Sequence, residues 1–222
     1  MPPGIHNRII TTVARELLKP LGFQQHGRSR LWFLDLGWRL SLVDFEHSSY
    51  ERGTYLNVAA MWLWHPADYY HFDYGPGGGL TRIEGFSAFT DEEQFTLEAR
   101  RLAQSAVAHT DTLEREFATM DRVANRLDNQ AAAGGWKRYD AGVGSALAGR
   151  AEAAVKHFRI LVAPDSDTWD WVEDMRARAA RLADAVEQGT FRQVITAQIH
   201  DTRRGLKLPS WDEEFTTRFR PL

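Results

Sequence analysis

The sequence predicts an α+β protein: an N-terminal helix on a four-stranded antiparallel sheet, followed by an antiparallel helical bundle. Three observations predict it. Apolar residues recur at helical steps from Ile5 to Leu18, alternate with a period of two between Phe23 and Trp64, and return to helical steps from Phe95 onward.

The first helix places Ile5, Ile9, Ile10, Val13, Leu17 and Leu18 on one side, with Asn7, Arg8, Thr11, Thr12, Arg15, Glu16 and Lys19 on the other. Pro20 cannot continue it and Gly22 suits its exit, so the chain turns at Leu21-Gly22. Leu31 and Phe33 then oppose Trp32 and Leu34; Trp38, Leu40 and Leu42 share a face, as do Leu56, Val58, Ala60, Trp62 and Trp64. Turn residues at His26-Gly27-Arg28, Leu36-Gly37 and Glu51-Arg52-Gly53 favour an antiparallel meander. The apolar parity slips between Leu42 and Val43, which predicts either a bulge or a stretch covered on both faces.

Helical signals follow the glycine-rich run. Thr90 with Glu93 reads as a capping box. Phe95, Ala99, Leu102, Ala103 and Ala106 form one stripe and Leu113, Phe117, Met120, Val123 and Leu127 another, consistent with one bent helix or two. The segment Ala131–Trp136 (AAAGGW) reads as a linker, giving a sheet domain over 1–130 and a helical region over 131–222. Three helices are expected there: one from Leu147 to Val162 before Pro164, one carrying Val172 to Val186, and one opened by a Thr190/Gln193 box.

The 222 residues are 43% hydrophobic, enough for a substantial core. With 27 basic and 30 acidic residues the net charge is −3, which gives no footprint for duplex nucleic acid or an anionic membrane. No apolar run has the length of a membrane span, and a cytoplasmic location is expected. Cysteine is absent, excluding disulfides, thiolate metal sites and cysteine nucleophiles. No cofactor is expected, and the composition leaves the oligomeric state open.

The runs ARELLKPLGFQQHGRSRLWF and SLVDFEHSSYERGTYLNVAAMW carry a family pattern: a helix ending at Leu18–Phe23, a Gly27-Arg28 hairpin, and strands at Asp44–Ser48 and Thr54–Val58. In these features the stretch from Ile5 to Trp64 resembles the bacterial domain-of-unknown-function family DUF4304. Asp44, Glu46 and His47 depart from that family's usual Asn, Gln and Lys. The resemblance implies an α+β domain with an antiparallel sheet and brings no known reaction. Bacterial families of this kind accompany toxin or defence systems, so it also implies an immunity or accessory role.

The stretch WHPADYYHFDYGPGGG, from Trp64 to Gly79, combines aromatic rings, histidines and aspartates with four glycines. His65, His71 and Asp73 form a set acceptable to zinc or another transition ion, the basis for a metal-dependent hydrolase or nuclease with Glu46 as base. The glycines are no phosphate loop, because GPGGGL lacks the Lys-Ser/Thr that follows one. His26, Arg28 and Arg30 beside Trp32 and Phe33 offer the materials of a single-strand nucleic-acid binder, although three basic groups in a neutral sheet supply little counterion release. Glu46, Ser48, Tyr50 and Asn57 fall on or near adjacent strands and can form a polar pocket with Arg30. His47 and Ser48 point to opposite faces and no nucleophile elbow is present, so no serine catalysis follows.

The reading that absorbs most of these features is a non-catalytic protein-binding or accessory module. Its groove joins the polar sheet face (Arg28, Arg30, Glu46, Ser48, Tyr50, Asn57) to an aromatic lip (Trp64, Tyr70, Tyr74). A protein partner is expected, with nucleic acid and membrane not favoured. Trp169 and Trp171, one of them off its helix's core stripe, and the tail Trp211–Leu222 are further candidate contacts.

Overall fold

The computed structural model describes residues 4–163, 169–212 and 214–215. Pro164 and the end of the tail, from residue 216 onward, lie outside the described residues. The chain divides into two compact units: one holds the residues up to Trp62 and Tyr70–Arg115, the other Leu63–Tyr69 and the chain from Glu116 on. The AAAGGW segment therefore falls inside the second unit, joining two of its helices.

The first unit opens with α1 (Ile5–Leu18), which buries Ile10, Val13, Ala14 and Leu18 at the expected steps. A single 3-10 turn containing Pro20 follows, and Gly22 ends it with φ 93°, a left-handed conformation that favours glycine. Five strands then pair consecutively and antiparallel: β1 (Gln24–Gln25), β2 (Leu31–Asp35), β3 (Arg39–Asp44), β4 (Gly53–Trp62) and β5 (Arg82–Ala88). The fifth strand corrects the expected four. β5 lies at the edge and none of its residues is fully buried, so it lacks the apolar alternation by which a strand is recognised.

The parity slip in β3 has a plain cause. Five of its six residues are buried, and its register with β4 is continuous from Arg39 to Asp44, so the strand is covered on both faces and is not bulged there. The irregular register lies instead between β4 and β5, around Thr54, Leu56 and Asn57. Trp38 stacks on Trp62 with ring centroids 5.8 Å apart and planes inclined by 4°.

α2 (Glu92–Glu116) runs from β5 to β3, as its polar contacts trace: Ser87 donates to Glu98, Arg101 pairs with Glu84, and Glu114 takes both Arg39 and Ser41. Its cap is Asp91, whose Oδ1 accepts from Gln94 N at 2.8 Å; Thr90, expected in that role, donates to the Gln94 side chain. The stripes span two helices, with the break inside the second: Leu113 still lies in α2, and Thr119 caps α3 (Met120–Asp128), accepting from Arg122 N.

In the second unit, α3 is followed by α4 (Gly135–Leu147), α5 (Ala151–Val162), α6 (Asp170–Glu187) and α7 (Phe191–Gly205), with successive helices packed on one another. Four helices thus follow where three are expected. α4 escapes sequence reading because Gly142 and Gly144 lower its intrinsic propensity, and packing explains them: a Cβ on Gly142 would lie 2.5 Å from the Phe158 ring, and one on Gly144 3.1 Å from Leu127. The Thr190/Gln193 box does not form; the Thr190 side chain caps nothing and its hydroxyl donates to Ala185 O. Trp169 and Trp171 are both off the core stripe of α6, 68% and 54% exposed. Among the described residues no helix is long and apolar enough to cross a membrane.

Candidate functional site

The first unit carries a cleft of about 650 Å³ lined from three directions by polar and charged residues. α1 contributes Asn7, Arg8, Thr11, Thr12 and Arg15, the turn before β2 contributes Gln25 and Gly27 to Arg30, and the end of β3 with the chain beyond it contributes Asp44, Glu46 and His47. Helical geometry explains the first group, since at about 100° per residue these five side chains occupy a single arc of roughly 140°. The turn holds itself: Ser29 N and its hydroxyl both donate to His26 O, and the Ser29 hydroxyl accepts from Leu31 N, which leaves Arg28 at the tip. Asp44 and Glu46 share a side because they are two apart in extended chain.

Arg30 is the floor. It is 9% exposed and donates to Phe45 O at 3.3 Å, to Gly53 O at 3.1 Å and to Asn7 Oδ1, tying α1 to the sheet. Burial lowers its pKa to about 10, with Asp44 opposing the shift. Asp44 is itself held above the ordinary carboxylate range, first by burial and then by the negative charge of Glu46. Glu46 moves the other way, because Asn57 donates to it at 2.8 Å and Arg82 pairs with it at 2.7 Å. Among the described residues, Arg8 and Arg28 make no side-chain hydrogen bond or ion pair, and Arg15 makes one long bond of 3.4 Å to Gln25 Oε1.

Of the expected binding set, Arg28, Arg30 and Glu46 line this cleft, and Asn57, only 4% exposed, braces Glu46 from behind. Ser48 is used locally, accepting from Tyr50 N and Glu51 N, and Tyr50 stands 95% exposed on that turn. Tyr70 packs on His26 and Phe33, with centroids 4.7 Å and 5.6 Å away. Tyr74, expected on the lip, is instead core: it is 2% exposed, bridges to Ala60 and packs on Trp62. Trp32, expected as a stacking platform, is likewise only 2% exposed.

Trp64 and His65 belong to the second unit. Trp64 is fully buried, its indole N–H donating to Asp140 Oδ1 at 2.9 Å, and it too is core and not lip. His65 Nε2 lies 2.7 Å from the same oxygen, its ring packs on Trp136 and Tyr139, and its carbonyl accepts from Thr202. Burial pushes the Tyr139 phenol up to about 12, and Gln198 donates both to that phenol oxygen at 3.0 Å and to Trp64 O. In the first unit, His71 Nδ1 lies 3.0 Å from Asp73 Oδ1, and the other Asp73 oxygen accepts from Trp62 N at 2.7 Å. Asp73 thereby extends the hydrogen bonding of the β4 edge.

Sequence reasoning missed Asn7, Arg8, Arg15 and Asp44 as site residues. The arc that Asn7, Arg8, Thr11, Thr12 and Arg15 share is readable from spacing, but the polar side of an amphipathic helix carries the same signature when it faces only water. No family model matches the chain, and no curated protein or solved structure matches it either.

Proposed function

We propose that this chain is a non-catalytic accessory protein whose first unit binds a segment of a partner protein in the cleft between α1, the β1–β2 turn and the end of β3. The observation that carries the reading is the cleft itself. Its volume of about 650 Å³ is in the usual range for a ligand site, and three separate chain segments converge on it. Its floor is fixed by Arg30, while Arg8 and Arg28 stand unengaged among the described residues. Fixed donors behind and free cations in front suit recognition. Two of the charged groups inside are already engaged, Glu46 by Asn57 and Arg82 and Arg30 by Asn7 and two backbone carbonyls. The resemblance of the N-terminal stretch to DUF4304 fits an accessory role.

Affinity capture of the full chain from its native cytosol, run beside the Arg8→Glu/Arg28→Glu double variant, tests this. The wild type retains a partner that the double variant loses; equal retention contradicts the reading. Native mass spectrometry on protein purified without chelator separates the rivals. A mass excess equal to one transition ion, lost in His71→Ala, would favour the hydrolase built on His65, His71 and Asp73. Oligonucleotide affinity falling steeply with salt would favour the single-strand binder.

A further inference from the structure

Resting on that reading of the cleft, we infer that the partner segment is an extended acidic peptide, recognised through two carboxylates three residues apart that engage Arg8 and Arg15 of α1.

Charge sets the sign of the ligand. Four arginines line the cleft against Asp44 and Glu46, and Glu46 already has its own cation in Arg82. Arg30 spends its donors on Asn7, Phe45 O and Gly53 O. What remains for a ligand is Arg8, Arg15 and Arg28, guanidinium forks whose geometry matches planar oxyanions.

The lining is also poor in rings. It contains no Phe, Tyr or Trp, Trp32 is buried, and His47 supplies its one ring, so a nucleobase finds little to stack on. Charge and hydrogen bonding then carry recognition, the terms that suit an acidic peptide.

Spacing sets the pattern. Arg8 and Arg15 are seven residues apart on one helix, about 10.5 Å along its axis and offset by only about 20° around it. An extended polyproline-type peptide rises about 3.1 Å per residue with three residues per turn, so side chains three apart point the same way about 9.3 Å from each other. Between the two arginines, the hydroxyls of Thr11 and Thr12 make no hydrogen bond among the described residues and are placed to donate to the peptide's backbone carbonyls. Arg28, opposite α1 on the hairpin tip, adds a third cation to the same channel.

The test is fluorescence anisotropy of the full chain with labelled, end-blocked peptides. One series carries two glutamates three residues apart, a second two residues apart, a third two lysines three apart; a single-stranded oligothymidylate is the non-peptide probe. The expected result is binding of the three-apart acidic peptide at least tenfold tighter than the lysine peptide and measurably tighter than the two-apart peptide. Arg8→Gln and Arg15→Gln should each weaken it about tenfold with an unchanged melting temperature, since both residues are exposed. Indifference to spacing, binding unchanged in both variants, or tighter binding of the oligothymidylate overturns the inference. Its failure is distinct from failure of the cleft reading. If acidic peptides do not bind yet the Arg8→Glu/Arg28→Glu variant still loses the captured partner, only the acidic-peptide inference falls; if that variant keeps the partner, the cleft reading itself falls.

Discussion

Arg30 donates to Asn7 Oδ1 from a position 9% exposed, so a side chain at the start of β2 fixes where α1 lies against the sheet. The same guanidinium also serves Phe45 O and Gly53 O, which makes it the common anchor of all three walls of the cleft. Asn7→Ala leaves part of a buried charged donor unpaired and should cost roughly 1–3 kcal/mol in urea unfolding. Arg30→Ala strips donors from two backbone carbonyls as well and should cost more.

Arg39 and Glu114 form the other polar anchor of the first unit, an ion pair of 2.8 Å in which both side chains are nearly fully buried. Ser41 completes it, accepting from Arg39 at 3.0 Å and donating to Glu114 at 2.9 Å. Glu114→Ala takes a buried carboxylate away from both Arg39 and Ser41 and should destabilise by about 1–3 kcal/mol. The double change Arg39→Met/Glu114→Leu should recover much of that loss, because burial of two charges carries its own desolvation cost. Chemical denaturation of both variants reads the difference.

Asp44 gives the cleft a pH signature. Its folded pKa lies above its ordinary value of 3.8, so the fold accommodates the neutral carboxyl better than the charged one. The resulting stability is fully present below that ordinary value and is lost as pH rises through the raised folded value. Glu46 is shifted the opposite way, so the total curve mixes both signs. Comparing wild type with Asp44→Asn isolates the group: relative to the variant, wild type should lose stability as pH rises from below 3.8 toward neutrality and then level off. Urea midpoints across that interval decide it, and a flat difference would contradict the assignment.

Gly142 lies where α4 meets α5. A Cβ there would come within 2.5 Å of the Phe158 ring, a residue that is itself fully buried. Gly142→Ala should therefore cost about 1–3 kcal/mol by overpacking, even though alanine is the better helix former. Adding Phe158→Leu should return part of the loss, measurable as a non-additive double-variant cycle.

The parts of the fold legible in the sequence are those where local pattern and packing agree. α1 and its glycine-terminated exit, the antiparallel meander and the stripe of α6 all follow from spacing and turn residues. β5 and α4 were hidden for opposite reasons. β5 buries no residue fully and so has no alternation, whereas α4 is built on glycines that only its neighbours explain. The cleft divided in the same way. Arg28, Arg30 and Glu46 were legible because a hairpin and a strand end bring them near one another, but Arg8 and Arg15 look like ordinary solvent-facing helix residues until the tertiary placement of α1 is known. The aromatic wealth around Trp64 and Tyr74 suggested a lip, yet these two rings are buried in the core, and of that run it is Tyr69 and Phe72 that stand exposed.

Hydrogen exchange with mass-spectrometric readout, comparing the free chain with its captured complex, tests the central claim most directly. The account predicts new protection concentrated in α1 from Asn7 to Arg15 and in the turn from Gln25 to Arg30, with little change around the exposed Trp169 and Trp171. Protection confined to α6, with α1 and the turn exchanging as in the free protein, would contradict it.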